Sequence, residues 1–518
     1  MTAPLPTSLY FDFNATSPVL PQAAEAALHT MLSAYGNPSS SHASGRQAKA
    51  LLDAVRQRAR AVLNVPQGEL IFVSGATEGI QTAVLSALCA VRARRDAGLP
   101  TGRCLVYGAT EHKAVPQSLA HWNQLLGLGL ELRALPVDAS GQHDLATLRA
   151  WLPDTALLCT MAANNETGVV SDLDAIEQAL NDHGSPALWL VDGVQALGKV
   201  DLKLAQRRID YVPFSGHKLH APKGIGLLYV RAGAPYTPLM AGGGQEGGRR
   251  SGTENMPGVA ALGAVLSALQ QGDTFCSLRT LRGYREQIRA CLEVNFPGVV
   301  FNAPLAQSLP TTLNFSVPGP VGSALTAWLD AAGLQVSAGS ACSAAQAQPS
   351  FVLQAMGCAD WQARSSVRLS LSLCTQPEQV AALCDRLRDC ARQLALSAEA
   401  AEATGAASTA VLDAEALADL WARQPETCLV DVRDADEHHA CEAVARWGRP
   451  VVSWPLPEVL GGRAPAAGVP EGVPLVLFCR SGQRSAQAWQ ALRARGHAAV
   501  WQLAGGVQAH PQLVALAI

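Results

Sequence analysis

The chain has 518 residues, 48% of them hydrophobic and 16% charged, which excludes a disordered polypeptide and exceeds what one core usually organises, so two or three domains are expected. Its 39 basic and 42 acidic residues give a formal net charge of −3, with no overall electrostatic footprint for nucleic acid or an anionic membrane; partners are small molecules or proteins. The start Met1-Thr2-Ala3-Pro4-Leu5-Pro6 resembles no export signal, no apolar run reaches spanning length, and thirteen scattered cysteines form no Cys-x-x-Cys pair. A cytoplasmic protein is expected, without a disulfide framework and without a metal; Cys89, Cys159 and Cys291 read as small buried hydrophobes.

Tyr10 to Phe13 predicts a short strand, broken before a helix that opens at Pro21; Asn14 either faces a site or closes a turn. Gly45 to Leu63 predicts a surface helix on which Arg56, Arg58 and Arg60 form a solvated face. Leu70 to Val73 reads as a strand running into Ser74-Gly75-Ala76-Thr77-Glu78-Gly79 and an apolar helix. Backbone N–H groups at such a helix start suit an anion, so Ala76 and Thr77 could hold a cofactor phosphate; the plain alternative is a turn capped by Thr77. Cys104 to Tyr107 is followed by Glu111-His112-Lys113, whose imidazole either stacks on a pyridine ring or lies at the surface. Leu157 to Met161 leads into Asn164-Asn165-Glu166-Thr167-Gly168, a turn or a hydrogen-bonding cluster for a phenolic oxygen.

Ala187 to Val191 is continuously apolar and predicts a buried strand ending in Asp192, whose carboxylate could keep a pyridine nitrogen protonated. Gln195, three residues on, could reach the phenolic oxygen. Tyr211 to Phe214 then runs into Ser215-Gly216-His217-Lys218. Only a neutral amine attacks a carbonyl, and a lysine fixed at a strand end is placed to capture an aldehyde cofactor. Strand-Asp followed by strand-Lys is the pyridoxal phosphate pattern. Strands alternating with helices from about residue 70 to 230 predict a mainly parallel sheet, with every polar cluster beyond a strand's carboxyl end.

Gly242 to Thr253 has the composition of a flexible linker, but its basic end, Arg249-Arg250, suggests a phosphate contact. Helical periodicity fills much of Ala260 to Leu292, and a smaller α+β region then runs through the strand-like Thr311 to Val317 to a helix near residues 377–396. Within it, small residues flank Cys342 in Ser337 to Gln346, leaving a thiol suited to a nucleophile that visits two places. Arg368, in the strand-like Ser366 to Leu369, either grips a substrate carboxylate with two prongs or is a surface arginine.

Ser-Gly-Ala-Thr-Glu, Glu-His-Lys, Asn-Asn-Glu, Asp192, Ser-Gly-His-Lys, Arg-Ser-Gly-Thr and Gly-Ser-Ala-Cys occur together in this order, and over roughly residues 8 to 395 the chain resembles the cysteine desulfurases. The resemblance implies an α/β enzyme of fold-type I, dependent on pyridoxal 5'-phosphate, with a large domain over about residues 15–260 and a small α+β subdomain. It implies Lys218 as the cofactor-bearing lysine, Asp192 at the pyridine nitrogen, His112 stacked and catalytic, and Asn165 and Gln195 at the phenolic oxygen. Thr77, Ser215 and His217 would hold the phosphate, and Thr253 would complete the partner's phosphate site in a homodimer. Cys342 would form the persulfide, and Asn165 and Arg368 would hold the substrate L-cysteine. Gly79 and Ile80-Gln81 depart from the serine and asparagines usual in the family, and Ala162 replaces a common histidine.

Ser397 to Ser408 has no large apolar residue and reads as a linker or frayed helix end, leaving residues 409–518 as a second domain after residues 1–396. There Leu429 to Arg433 and Leu475 to Phe478 predict strands, the second ending at Cys479-Arg480-Ser481-Gly482-Gln483-Arg484-Ser485 before a helix from Ala486 to Arg495. Backbone N–H groups, a helix start and two arginines would lower the Cys479 pKa and stabilise an anionic sulfur. Asp431-Val432-Arg433, this loop and Leu503-Ala504-Gly505-Gly506-Val507 resemble a single-domain rhodanese, although the usual Gly-His-Ile segment is missing around His438 to Cys441.

The expectation is an L-cysteine desulfurase that releases L-alanine, forms a persulfide on Cys342 and relays it to Cys479 for a protein or small-molecule acceptor. The sequence names no acceptor among iron-sulfur cluster assembly, tRNA thiolation, a cofactor precursor and cyanide. The alternative is a selenocysteine lyase or other pyridoxal phosphate enzyme, with the rhodanese domain as a docking or regulatory module.

Overall fold

The computed structural model describes residues 8–318, 325–326, 328–330, 332–338, 349–403, 411–412, 414–434, 437–438, 451–462, 464, 472–480, 482–497 and 499–509. Cys342, Ser481, His439 to Cys441 and the predicted linker residues 404–408 lie outside them. The chain divides into two compact units, one of residues before Arg388 and one from Arg388 on, with the described residues of 324–332 grouped to the second. Among the described residues no helix is long and apolar enough to cross a membrane.

The first unit is organised by a seven-stranded sheet of β1 (Glu69–Val73), β2 (Cys104–Gly108), β3 (Glu131–Leu135), β4 (Thr155–Met161), β5 (Leu188–Asp192), β6 (Tyr211–Ser215) and β7 (Gly226–Val230), in the order β1-β7-β6-β5-β4-β2-β3. Neighbours are parallel except where β7 runs antiparallel between β1 and β6. Continuous burial along β4, β6 and β7 fits strands covered on both faces. Helix α1 (Ala76–Asp96) carries Glu78 in its first turn and Arg94 and Arg95 in its last, each sign opposing the local helix charge. It packs Ile80, Val84 and Leu88 into a core with Leu105, Leu157, Leu190 and Leu228. Gly79 lies close against β6: a Cβ there would stand 2.9 Å from that of Pro213, so this packing requires the glycine.

A four-stranded antiparallel sheet follows, in the order Ser337–Ala338, Ser366–Ser370, Thr312–Ser316, Val300–Phe301. The N-terminal segment joins its edge of the site through Ser370 N–H donating to Phe11 O at 2.7 Å and Asn14 N–H to Ser370 Oγ at 2.9 Å.

Three expectations change. The helix from Pro377 does not stop near residue 396 but runs to Ala403, because Ser-Ala-Glu-Ala-Ala-Glu-Ala lacks bulk yet is rich in strong helix formers. Arg56, Arg58 and Arg60 are not simply solvated: Arg58 and Arg60 donate to Gly263 O and Gly68 O. Arg56 grips Glu246 with two bonds, at 2.6 and 2.9 Å, and lies over the Phe72 ring. Cys159 is buried as expected, but Cys89 and Cys291 are half-exposed.

The second unit carries a five-stranded, all-parallel sheet in the order Val411–Leu412, Val500–Leu503, Leu475–Phe478, Cys428–Asp431, Val451–Ser453. Alternation along Leu475 to Phe478 feeds two cores, Leu475 and Leu477 into one and Val476 and Phe478 into the other.

Candidate active site

The carboxyl ends of β1, β2, β4, β5 and β6 each deliver polar residues to one cavity of about 530 Å³, which Asn14 and Arg368 also line. Lys218 closes the short 3-10 turn that follows β6, and its Nζ donates to the main-chain oxygens of Asn14 at 2.6 Å and Ala15 at 2.8 Å. Gln195 Nε2 donates to the same Asn14 oxygen at 3.1 Å. Asn14 therefore faces the site; its Nδ2 reaches Thr312 Oγ1 and Asn165 O, and its buried Oδ1 has no partner among the described residues.

Asp192, the last residue of β5, accepts the Val194 N–H at 2.9 Å. Burial pushes its carboxyl pKa up, against that N–H and the nearby His112 and Lys218. His112 Nδ1 accepts the Ala114 N–H at 3.2 Å, so the neutral ring carries its proton on Nε2. Burial pulls the His112 pKa down, more than the Asp192 charge raises it. His217, with Nδ1 3.0 Å from Thr16 Oγ1, is pulled to about 4 by burial, then by Lys218 and Lys223. Ala76, Thr77 and Ser215 line the same wall, where a Cβ on Gly75 would meet only Ser215 Oγ, at 3.8 Å. Among the described residues no side chain caps the start of α1, whose first residues line the cavity.

Arg368 is 1% exposed, hence no surface arginine. Its guanidinium donates to Asp12 at 2.6 Å, Ser337 Oγ at 3.0 Å and Asn165 O at 3.1 Å, so a substrate carboxylate would share it with Asp12. Ser350 Oγ donates to the buried Glu166 at 2.6 Å. Ser337 and Ser350, which bracket Cys342 in the sequence, are thus both tied to the cavity's rim. Sequence reasoning passed over Asp12 and the Asn14 carbonyl, and placed Glu166 in a cluster without its partner Ser350. Polar residues inside the short strand at Tyr10 to Phe13 were the available signal.

Two predicted contacts are not brought to this cavity. Thr253 is exposed along a separate hollow formed by residues 239–253. Arg249 and Arg250 are engaged by Glu69 and Glu78, the latter at 3.0 Å, which leaves no free basic end in the glycine-rich segment. That segment is no loose linker either, since Glu246 accepts from Phe72 N–H at 3.1 Å besides holding Arg56.

In the second unit Cys479 follows the strand Leu475–Phe478 and is 1% exposed, so its thiol is enclosed rather than displayed. Its Sγ accepts the Gly482 N–H at 3.1 Å, just ahead of the helix Gln483–Ala494. Arg484 is turned to Glu437 at 3.0 Å and Asp434 at 3.5 Å. Arg433 is buried against Asp431, which also meets His438 at 2.9 Å.

Residues 9–383 match the family model described as aminotransferase class-V. The chain belongs to that family. A rhodanese-like domain model matches residues 413–510. A cysteine desulfurase of Nostoc sp. (strain PCC 7120) is 37% identical over 373 residues, 72% of this chain and 90% of that protein. One from Cereibacter sphaeroides is 36% identical over 404 residues, 76% of this chain and 98% of its own. Among solved structures, a NifS-like protein superposes with a TM-score of 0.65 at 31% identity, covering 74% of this chain and 98% of that one. SspA in complex with cysteine gives 0.60 at 27% identity, covering 70% and 99%. The cofactor of this class-V chain is pyridoxal phosphate. The cavity fits it: a buried carboxylate with one backbone donor, a helix start without a side-chain cap, and a lysine lining the same space.

Proposed function

We propose that the protein is an L-cysteine desulfurase that passes sulfur through its own rhodanese-like domain. The convergence of Lys218, Asp192, His112, Asn165, Gln195 and Arg368 on one cavity carries this reading, in a chain that aligns with named desulfurases over nearly their full length. Lys218 would carry the pyridoxal phosphate, with Asp192 for the pyridine nitrogen, His112 for the ring face, and Asn165 and Gln195 for the phenolic oxygen. Ala76, Thr77, Ser215 and His217 would hold the phosphate, His217 as a neutral donor because its pKa lies at about 4. Bound there, the cofactor supplies an electron sink for the substrate's Cα.

Arg368 and Asn165 orient the cysteine carboxylate, and the Lys218 amine moves the Cα proton. The Cys342 thiolate attacks the substrate sulfur, the Cβ–S bond breaks, and the sulfur remains as the outer atom of a Cys342 persulfide. The bond's electron pair stays with carbon, which takes a proton, and alanine leaves. The Cys479 thiolate, steadied by the Gly482 N–H, then attacks the outer persulfide sulfur; the Cys342 S–S bond breaks and Cys342 leaves as its thiolate, ready for another turnover. A homodimer in which Thr253 serves the partner's phosphate site accords with its position outside this chain's own cavity.

The test is Cys342→Ala followed with sulfur-labelled cysteine. The variant should bind cysteine, seen as a change in the cofactor band, and release almost no alanine. Wild type should carry label on both Cys342 and Cys479 after peptide mapping. Label on Cys342 alone removes the relay, and near-normal alanine release by the variant removes the desulfurase.

A further inference from the structure

A second cavity, also about 530 Å³, lies in the first unit and takes no part in the chemistry above. Leu145, Ile176, Val200 and Leu278 give it an apolar body. Its polar side chains fall into two groups. Gln142 is engaged at both ends, by Val170 O and Asp172 N–H, and Ser308 Oγ donates to Pro304 O. Asp172, at the exposed rim, caps a helix by accepting the Ala175 N–H. Lys199 and Arg282 are different. Lys199 is 8% exposed, yet among the described residues it has no carboxylate partner, and its ammonium makes a single hydrogen bond, to Gln195 Oε1 at 3.0 Å. Arg282 forms no ion pair among the described residues. His143, also in the wall, is buried with both ring nitrogens unpartnered.

A buried ammonium with donors to spare is costly unless an anion meets it. Burial, then the Lys218 charge, pulls the Lys199 pKa to about 7, and an anion bound beside it would pull it back up. The cavity is far larger than an inorganic anion, and its apolar wall suits a hydrocarbon body. We propose that it binds a small aliphatic carboxylate, the carboxylate meeting Lys199 and Arg282 and the chain lying against Ile176 and Leu278. Occupancy is felt at the cofactor, because Lys199 Nζ to Gln195 Oε1, Gln195 Nε2 to Asn14 O and Lys218 Nζ to Asn14 O form one unbroken chain of hydrogen bonds. When an anion holds Lys199 as the ammonium it can only donate, which fixes the Gln195 amide with its nitrogen toward the Asn14 carbonyl.

The experiment titrates the holoenzyme with 4-methylpentanoate by calorimetry while recording the cofactor's absorption band. One carboxylate should bind per chain and shift the band, and the neutral 4-methylpentanamide should do neither. Arg282→Ala, on an exposed helix position, should weaken binding about tenfold, the effect of losing one charged hydrogen bond. Lys199→Gln should abolish the band shift. Binding unchanged in both variants would place the ligand elsewhere and overturn the proposal, as would sulfate binding equally tightly. An unmoved band with intact, Arg282-dependent binding would overturn the coupling to the cofactor.

Discussion

The two thiol-related sites of this chain are built on opposite plans. The cofactor cavity draws on residues from Asn14 to Arg368, joined by hydrogen bonds that span more than three hundred positions, such as Arg368 to Asp12. The Cys479 site is local: a strand end, a turn and a helix start within Leu475 to Ala494, with Val507 N–H holding the Cys479 carbonyl at 3.0 Å. A distributed site makes chemistry a property of the whole fold. A local one leaves its thiol dependent on a few neighbours, and transferable as a module.

The contrast is sharpest with Lys218→Ala, which should remove the visible cofactor band and lower alanine release on the order of 10⁴-fold or more, while alkylation of Cys479 proceeds at the wild-type rate. A changed Cys479 rate would break the separation. Next in size is Asp431→Ala. It removes the carboxylate that the buried Arg433 is paired with and should destabilise the second unit by about 3–5 kcal/mol in denaturant, leaving the cofactor band intact. Loss of the band at the same denaturant concentration would show the two units to unfold as one. Gly79→Ala pushes a methyl against Pro213 and should cost about 1–3 kcal/mol in the first unit alone.

The smallest effect is in acid. His143 and His217 have pKa values of about 4 in the fold against about 6.5 in an unfolded chain. Between those values the unfolded chain holds protons that the native one lacks, so stability rises with pH through this window and falls as pH drops from 6.5 toward 4. His143→Phe should flatten part of that slope in the transition assigned to the first unit, and a slope unchanged by it would mean that other groups set the acid limit.

The strand-end clusters were readable because each follows a run of apolar residues, and the position of Lys218 or Asp192 depends on that run alone. Arg368 and Arg56 were harder. The sequence offers a cation but not its partner, and Asp12 and Glu246 lie 356 and 190 positions away. Lys199 was invisible for the same reason, since nothing in Gly198-Lys199-Val200 announces burial. Past residue 396 low bulk left a linker and a frayed helix end as alternatives, and over residues 397–403 the helix holds, because alanine and glutamate favour helix without needing a core.

The oxygen that receives both Lys218 and Gln195 belongs to the main chain of Asn14. Any residue type at that position presents the same carbonyl, so a scan that truncates side chains one by one would pass over the hub of the site and register only the loss of the Asn14 amide. Genetic variation is equally blind to it. This contact of the lysine is sheltered from drift, and only an edit of the backbone itself, such as an ester in place of the peptide bond after Asn14, would weaken that acceptor.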